Sequence, residues 1–520
     1  MRSKFFKHII FMFGIFICML DTTIMNVSLP SIASDFHTGL DSLSWALNIY
    51  TILFASLTIP LTKLSERFGE YKFYIIGLFL FGIGSLLSGI SNVTELLLLS
   101  RAIQSIGAAI VFPLSMTLGI KIVGDGDRTG VIASLGVTQG LAAALGPVIG
   151  GIITNYLSWR WIFFVNIPIV LFILILGLLL FNFKDEKKNK ANFDLFGSLL
   201  IITFLFSLTL GLINGRTWGW YSYKILITFV ISIISFMLFI FTEIKQKDPM
   251  IPMNLFKNRQ FVGAALVILI SNLFLVAVTV ILPTYYSNIE NYDSLKSSMM
   301  LVPITLMIFV TAPLSGFALK KIGARLLISI GFIFMIIGYY GFSNNGLDSV
   351  KLAIIFGCLM GIGYGIITGP ITIIAASDFN GSLLNSSQSV AGVLRQFGSV
   401  LAVSIFVTFL YINLNNAQNE SLKYSNESIY NIQAPSNIKN KIISETDKSI
   451  KNRNTKNVKK VNTGIVQMDN SINKQLDKIK NVSKYNYSLA FKELYKKALP
   501  FMIITILSVF LFKKKSVDRK

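Results

Sequence analysis

The chain has 520 residues, of which 53% are hydrophobic and only 14% charged, with 42 phenylalanines and a mean hydropathy of +0.65. That composition excludes a water-soluble globule with an ordinary surface and points to an all-α polytopic membrane protein. The net charge of +22 is spread over short loops and one long polar segment, a pattern of membrane topology rather than of nucleic-acid binding.

The N-terminus, Met1-Arg2-Ser3-Lys4-Phe5-Phe6-Lys7, has the charge of a signal peptide. No small-x-small cleavage site follows and the apolar run continues through Pro30, so a retained first span is expected. Cys18 and Cys358 lie in apolar runs, and His8 and His37 are far apart, so neither a disulfide framework nor a metal site is expected. Apolar runs long enough to cross a bilayer occur near 8–31, 44–63, 73–92, 95–118, 131–155, 161–183, 195–214, 223–242, 260–284, 298–319, 325–344, 351–377, 389–412 and 497–512. Fourteen crossings put both termini on one side. The short loops of that side hold most of the basic residues, among them Lys63, Arg67, Lys121, Arg128, Lys184, Lys187, Lys188, Lys190, Lys320, Lys321, Arg325 and the tail Lys513-Lys514-Lys515. By the positive-inside rule both termini are cytoplasmic.

Within the first span, Asp21 stands near mid-membrane. A charged Asp there costs on the order of 2.5–3.5 kcal/mol on insertion scales, so it is expected to face a bundle interior or a water-filled path. Glu95, Glu290, Asp293 and Asp378 fall near span ends, which leaves Asp21 as the one deep carboxylate. The turn after span two contains Glu66-Arg67-Phe68-Gly69, where Gly69 permits a tight turn and Glu66 and Arg67 could latch onto the other half. A second basic-x-Gly turn, Lys321-Ile322-Gly323, lies eight spans later. That repeat divides the chain into a six-helix bundle at 1–190, inserted spans seven and eight at 191–248, and a second bundle at 249–520, as in transporters built from repeated halves.

Span four carries Arg101, Gln104, Ser105 and Ala108 on one face. A guanidinium inside a span needs a polar or anionic partner. At about 1.5 Å per residue, Arg101 lies about 10 Å and Asp21 about 15 Å from the same face, so the two are expected to meet in one cavity. A constitutive ion pair is the plainer alternative. In span five, Gly136, Gly140, Ala143, Pro147 and Gly151 fall on nearly one stripe, suited to close helix approach and, with the proline bend, to a hinge. Static packing would use the same residues. Arg395 in span thirteen has the same buried-arginine pattern, with snorkelling as its alternative. Trp45, Tyr50, Trp159, Trp161, Trp218, Trp220, Tyr285 and Tyr286 are read mostly as aromatic belt, with the lining of a substrate cavity as the alternative for some of them. The polar stretch at about 413–496 is expected outside the membrane, with Ile429, Ile432, Ile438, Ile442, Ile443, Ile465, Ile472, Leu476 and Ile479 enough for one or two marginal helices or for disorder.

These stretches together resemble the fourteen-span drug:proton antiporter branch of the major facilitator superfamily, the EmrB/QacA type. The resemblance rests on Leu20-Asp21-Thr22-Thr23-Ile24-Met25-Asn26-Val27-Ser28-Leu29-Pro30, on the loop from Thr62 to Lys72, on Arg101 to Ala109, and on the antiporter motif Gly136 to Gly151. Thr62, Glu66, Glu70 and Ser105 depart from the usual residues of those motifs. The resemblance implies the major facilitator fold and alternating-access export of lipophilic drugs or other toxic compounds, driven by inward proton flow. Asp21 is then the proton- or cation-site carboxylate and Arg101 its relay partner, with Asn26 and Gln104 in support. Gly136, Gly140, Gly146, Pro147, Gly150 and Gly151 form the antiporter-motif hinge, and Glu66, Arg67 and Gly69 the latch. The expected partners are lipophilic small molecules, protons and a bacterial plasma membrane, with a monomer as the working unit and no cofactor, metal or nucleic acid. No nucleotide-binding loop or catalytic constellation stands out, so an enzyme is not expected. The alternative is a secondary transporter of a defined metabolite such as a peptide, sugar or siderophore, although the fifth-span motif favours export.

Overall fold

The computed structural model describes residues 2–38, 40–122, 128–184, 186, 193–432, 435–451 and 466–513. Lys187, Lys188, Lys190, Lys514, Lys515 and Ile465 lie outside them, as do the side chains of Arg128 and Ala143. Among the described residues every regular element is helical. The first bundle comprises α1 (Arg2–Asp35), α2 (Leu40–Phe68), α3 (Glu70–Ile90), α4 (Thr94–Lys121), α5 (Arg128–Tyr156), α6 (Trp161–Phe164) and α7 (Asn166–Leu180). Then come the hairpin α8 (Leu195–Trp218) and α9 (Tyr223–Lys245), and the short α10 (Asn254–Lys257). The remainder is α11 (Arg259–Asn288), α12 (Ser294–Met299), α13 (Val302–Ile322), α14 (Ala324–Ser343), α15 (Val350–Ser377), α16 (Gly381–Ala402), α17 (Thr408–Tyr430), α18 (Ser436–Lys451) and α19 (Val466–Thr505).

Among the described residues thirteen helical stretches are long and apolar enough to cross a membrane, and the bent α5 makes fourteen. Long apolar runs favour this because a helix satisfies its backbone internally where no water is available. Outward faces are apolar: Leu179 is 74% exposed, and Ile233 and Met237 line the outside of the hairpin. Polar residues set the helix starts. Asp194, Ser222, Asn258, Asp293 and Ser349 each accept a first-turn N–H at the N-terminus of α8, α9, α11, α12 and α15.

One apolar cluster draws chiefly on residues 10–261 and a second on residues 264–512. The two basic-x-Gly turns share a backbone solution. Gly69 (φ 117°) and Gly323 (φ 88°) start α3 and α14 in the left-handed region, and the N–H of each returns to the fourth carbonyl before it at 2.9 Å.

The polar stretch near 413–496 is largely helical. Span thirteen runs on through a π-helical turn, Val403–Val407, into α17, and α19 continues into the last span. Ile429, Ile432, Ile442, Ile450, Ile472, Leu476 and Ile479 form an apolar cluster of their own. The cap is tied down by Lys484–Glu290 and Lys492–Asp348 ion pairs.

Candidate functional site

Asp21 is placed by α1 at the centre of the first bundle and is fully buried. Arg101 of α4, 1% exposed, donates from Nη1 to Asp21 Oδ2 at 2.5 Å and to Gln104 Oε1 at 2.7 Å. Gln104 completes the triangle, donating from Nε2 to Asp21 Oδ1 at 2.8 Å. The i, i+3 spacing of Arg101 and Gln104 puts both on one face of α4, so one turn supplies two donors to one carboxylate. The rest of the guanidinium is also engaged. Its Nε donates to the Ala46 carbonyl at 3.3 Å, and its plane lies 4.1 Å from the Tyr50 ring centroid. A charge-assisted pair of this kind holds its geometry because both carboxylate oxygens and the guanidinium Nε are also hydrogen-bonded.

Two members were not visible as site residues in the sequence. Asn166, in the first turn of α7, donates to Asp21 Oδ1 at 3.4 Å and to Ser85 Oγ at 3.1 Å. Its own Oδ1 is buried and has no partner. Tyr50, read as belt, instead lies buried under Arg101, with its hydroxyl on the Cys18 carbonyl at 3.4 Å. Of the other residues read as belt, Trp159, Tyr285 and Tyr286 are also buried, whereas Trp161 is exposed. The expected common cavity is closed in this state: Asp21, Arg101, Gln104 and Asn166 are all sealed from solvent. Asn26 does not join them and is exposed.

The small residues of α5 divide between two neighbours. A methyl group at Gly150 would stand 2.5 Å from the Ile24 carbonyl, and one at Gly146 would collide with Thr23 Oγ1, so these two bring α5 against α1 just beyond Asp21. Gly136, Gly140 and Gly151 face Thr372, Ile308 and Ser298 of the other half. Pro147 is buried, and α5 bends by 43° between Gly130–Ala142 and Leu145–Tyr156. The bend falls where a Pro at 147 withholds the N–H that would bond the carbonyl of residue 143.

At the turn after α2, Glu66 crosses to the second half. It accepts from Asn385 Nδ2 at 2.7 Å and from Ser382 Oγ at 2.9 Å, both at the start of α16. Glu70 accepts from Lys121 Nζ at 2.6 Å and from Asn385 Nδ2 at 2.7 Å. Arg67 is not in this network; it is exposed, 5.9 Å over the Phe68 ring. Lys63, 3.6 Å from Glu66, takes that place. Gly69 leaves room for Glu186, whose Oε1 accepts the Tyr71 N–H in the first turn of α3. Burial pushes the Glu186 carboxyl above the usual glutamate range, against the pull of that bond.

Arg395 is buried in the second half. It donates from Nη1 to the Tyr364 hydroxyl at 3.4 Å, its Nε has no partner, and among the described residues it forms no ion pair. Glu243, just past the apolar run at 223–242, lies in the last turns of α9 and is buried. A cavity of about 490 Å³ lies between the ends of α1 and α2, the end of α8 and the π-helical turn, with Trp45, Asn48, Asn214, Trp218, Ser404 and Thr408 in its wall.

Residues 11–403 match the model of the Major Facilitator Superfamily. The multidrug transporter protein MdtP of Bacillus subtilis is 28% identical over 79% of the chain and 76% of the relative. The probable multidrug resistance protein EmrY of Escherichia coli is 27% identical over 76% and 77%. The riboflavin transporter RibZ of Clostridioides difficile is 28% identical over 80% and 91%. With well over half its length under that family model, the chain belongs to the Major Facilitator Superfamily.

Proposed function

We propose that this protein exports lipophilic small molecules across a bacterial plasma membrane in exchange for protons, with Asp21 as the proton-carrying group. The observation that carries the reading is the closed Asp21–Arg101–Gln104 triangle inside the first bundle. Arg101 and a proton compete for the same Asp21 oxygen, so a movement that withdraws Arg101 opens the carboxylate to proton exchange. The protein's geometry couples that exchange to movement, because Gly146 and Gly150 pack α5 on the α1 segment next to Asp21 while Gly136, Gly140 and Gly151 of the same helix meet the other half. The latch of Glu66, Glu70, Lys121 and Asn385 joins the halves near one membrane face, which the basic short loops favour as cytoplasmic.

On this reading the units are the bundles 1–190 and 249–520 and the inserted hairpin 191–248, the working form is a monomer, and the chain is not an enzyme and needs no cofactor. The cavity beside α8 has the size of a small-molecule site. Similarity to relatives named as multidrug transporters supports drugs as the substrate class. A second reading, transport of one defined metabolite, rests on the similarity to a relative named as a riboflavin transporter over 91% of that relative. Efflux of a panel of dyes and drugs from expressing cells, with and without a protonophore, separates the readings. The first predicts several substrates retained by protonophore-treated cells and by cells carrying Asp21→Asn. Transport of riboflavin alone supports the second, and export indifferent to the proton gradient removes Asp21 from its assigned role.

A further inference from the structure

Outside the Asp21 cluster, two more carboxylates are buried on one spot, at the open end of the α8–α9 hairpin. Asp194 is the N-cap of α8, where Oδ1 accepts the Gly197 N–H at 2.8 Å. Its carbonyl accepts Ser198 Oγ at 2.5 Å, so both ends of the residue are fixed. The remaining oxygen, Oδ2, is buried and has no partner, in a residue only 8% exposed. Glu243, 2% exposed, arrives from the last turns of α9 and accepts the N–H groups of Met250 and Ile251, one on each oxygen, at 3.1 Å. Gly197 lies between the two acids. A methyl group there would collide with Asp194 Oδ2 and stand 3.2 Å from Glu243 Oε1. The unpaired oxygen of one acid and Oε1 of the other therefore share one small space.

Two buried carboxylates side by side do not both stay ionised unless a cation sits with them. The basic group that faces them is Lys63 of α2, already 3.6 Å from Glu66 and 3.5 Å from Ser382 Oγ. Lys245 rests on the Phe241 ring at 3.9 Å and Lys247 is exposed, while Asp248 adds a further acid to the segment that follows α9. A hard metal ion fits poorly, because it takes six or more oxygens and here every carboxylate oxygen but one already faces an N–H donor. Among the described residues no group of three potential metal ligands occurs. A proton needs one oxygen to carry it and one to accept it.

We propose that Asp194 and Glu243 hold a single proton between Asp194 Oδ2 and Glu243 Oε1, forming a second proton-binding site at the root of the inserted hairpin. Met250 and Ile251, held by Glu243, line the same small pocket as Lys63, Glu66 and Asn385. With the proton in place the pair carries one negative charge and the 249–252 segment stays seated. Without it a second negative charge competes with Glu66 for Lys63 and loosens the contact between α2 and α16. The site thus makes the joint between the halves sensitive to protons independently of Asp21.

Infrared difference spectroscopy of the full chain in lipid nanodiscs, titrated with pH, tests this. A carboxylic-acid carbonyl band is expected at about pH 6, where ordinary Asp and Glu are ionised. It should be lost in Asp194→Asn and in Glu243→Gln and kept in Asp21→Asn. The Asn amide retains the cap acceptor and offers an N–H to Glu243; if that variant does not accumulate, Glu243→Gln carries the same expectation. Hydrogen exchange at the Met250 and Ile251 amides, the two N–H groups between Pro249 and Pro252, corrected for intrinsic base catalysis, should lose protection as pH rises in the wild type and show no pH dependence in Asp194→Asn. A band that survives both substitutions, or an exchange profile in Asp194→Asn that tracks the wild type, overturns the proposal.

Discussion

The two halves each bury an arginine, and they treat it differently. Around Arg101, Asp21 removes the net charge, Gln104 and the Ala46 carbonyl take further N–H groups, and Tyr50 covers the plane. Around Arg395 the contact is a phenol at 3.4 Å, with Asn272 donating to the backbone carbonyl of Arg395 rather than meeting its charge. The first arrangement is a neutral unit whose charge state can change only at Asp21. The second keeps its positive charge whatever happens at Asp21, since a guanidinium does not give up its proton. A buried arginine is thus a candidate for proton coupling only when a carboxylate sits on it.

The largest effect that would break this comparison is at Arg101. Arg101→Met leaves Asp21 buried without its cation, and removing one partner of such a pair costs about 3–5 kcal/mol. Thermal unfolding in detergent should show that loss. The double variant Asp21→Asn with Arg101→Met should regain stability but not proton-driven efflux. If Arg101→Met unfolds like the wild type, the two arginines are equivalent and the distinction fails.

Next in size is the packing that presents Asp21. Gly150→Ala puts a methyl 2.5 Å from the Ile24 carbonyl, a backbone atom that cannot turn aside. Overpacking of this kind costs about 1–3 kcal/mol. Gly140→Ala, facing Ile308 at 3.4 Å in the other half, meets an ordinary contact. Efflux and melting temperature should both fall for Gly150→Ala and hold near wild type for Gly140→Ala. Equal damage from both would mean that contact between the halves constrains α5 as strongly as its seat on α1.

Much of the site was legible because its residues are anomalies. An acid and an arginine inside apolar runs stand out, and the helical rise puts them at matching depth, so the pairing of Asp21 and Arg101 followed from arithmetic. Gln104 came with Arg101 by its spacing of three. Asn26 did not come with Asp21, because five residues turn a helix by about 140° from the starting face. Tyr50 was hidden by an uncertain boundary: α2 begins at Leu40, so Tyr50 lies further into the helix than the apolar run suggests. Glu243 was lost in the same way, since α9 continues to Lys245. The polar cap was legible as a set of spaced isoleucines but not as a fold, because their partners lie across α17, α18 and α19. The turn glycines were legible as a repeat and Glu66 as a residue that could reach the other half, but its partners were not, because the start of α16 that it meets is more than 300 residues away in sequence.

A smaller effect is expected at Arg395. Arg395→Met removes a buried charge that lacks an ionic partner, and such replacements are often neutral or stabilising. The melting temperature should stay level or rise, in contrast to Arg101→Met. A fall as large as that of Arg101→Met would show that Arg395 has an anionic partner of equal weight.

The smallest effect sharpens the comparison at the turn glycines. Gly69 has no side chain to cap α3, and Glu186 from the loop after α7 accepts the Tyr71 N–H in its stead. Burial raises the Glu186 carboxyl above the usual glutamate range. Between the unfolded and the raised folded value the folded state binds the extra proton, so stability falls as pH rises through that window and is flat above it. Below the unfolded value the contribution is fully present. Melting temperatures measured from about pH 4 to about pH 7 should therefore decline slightly more in the wild type than in Glu186→Gln, which keeps an acceptor for Tyr71 and does not titrate. Parallel curves would mean that the Gly69 turn, like its counterpart at Gly323, holds its helix start without help from a titrating loop residue.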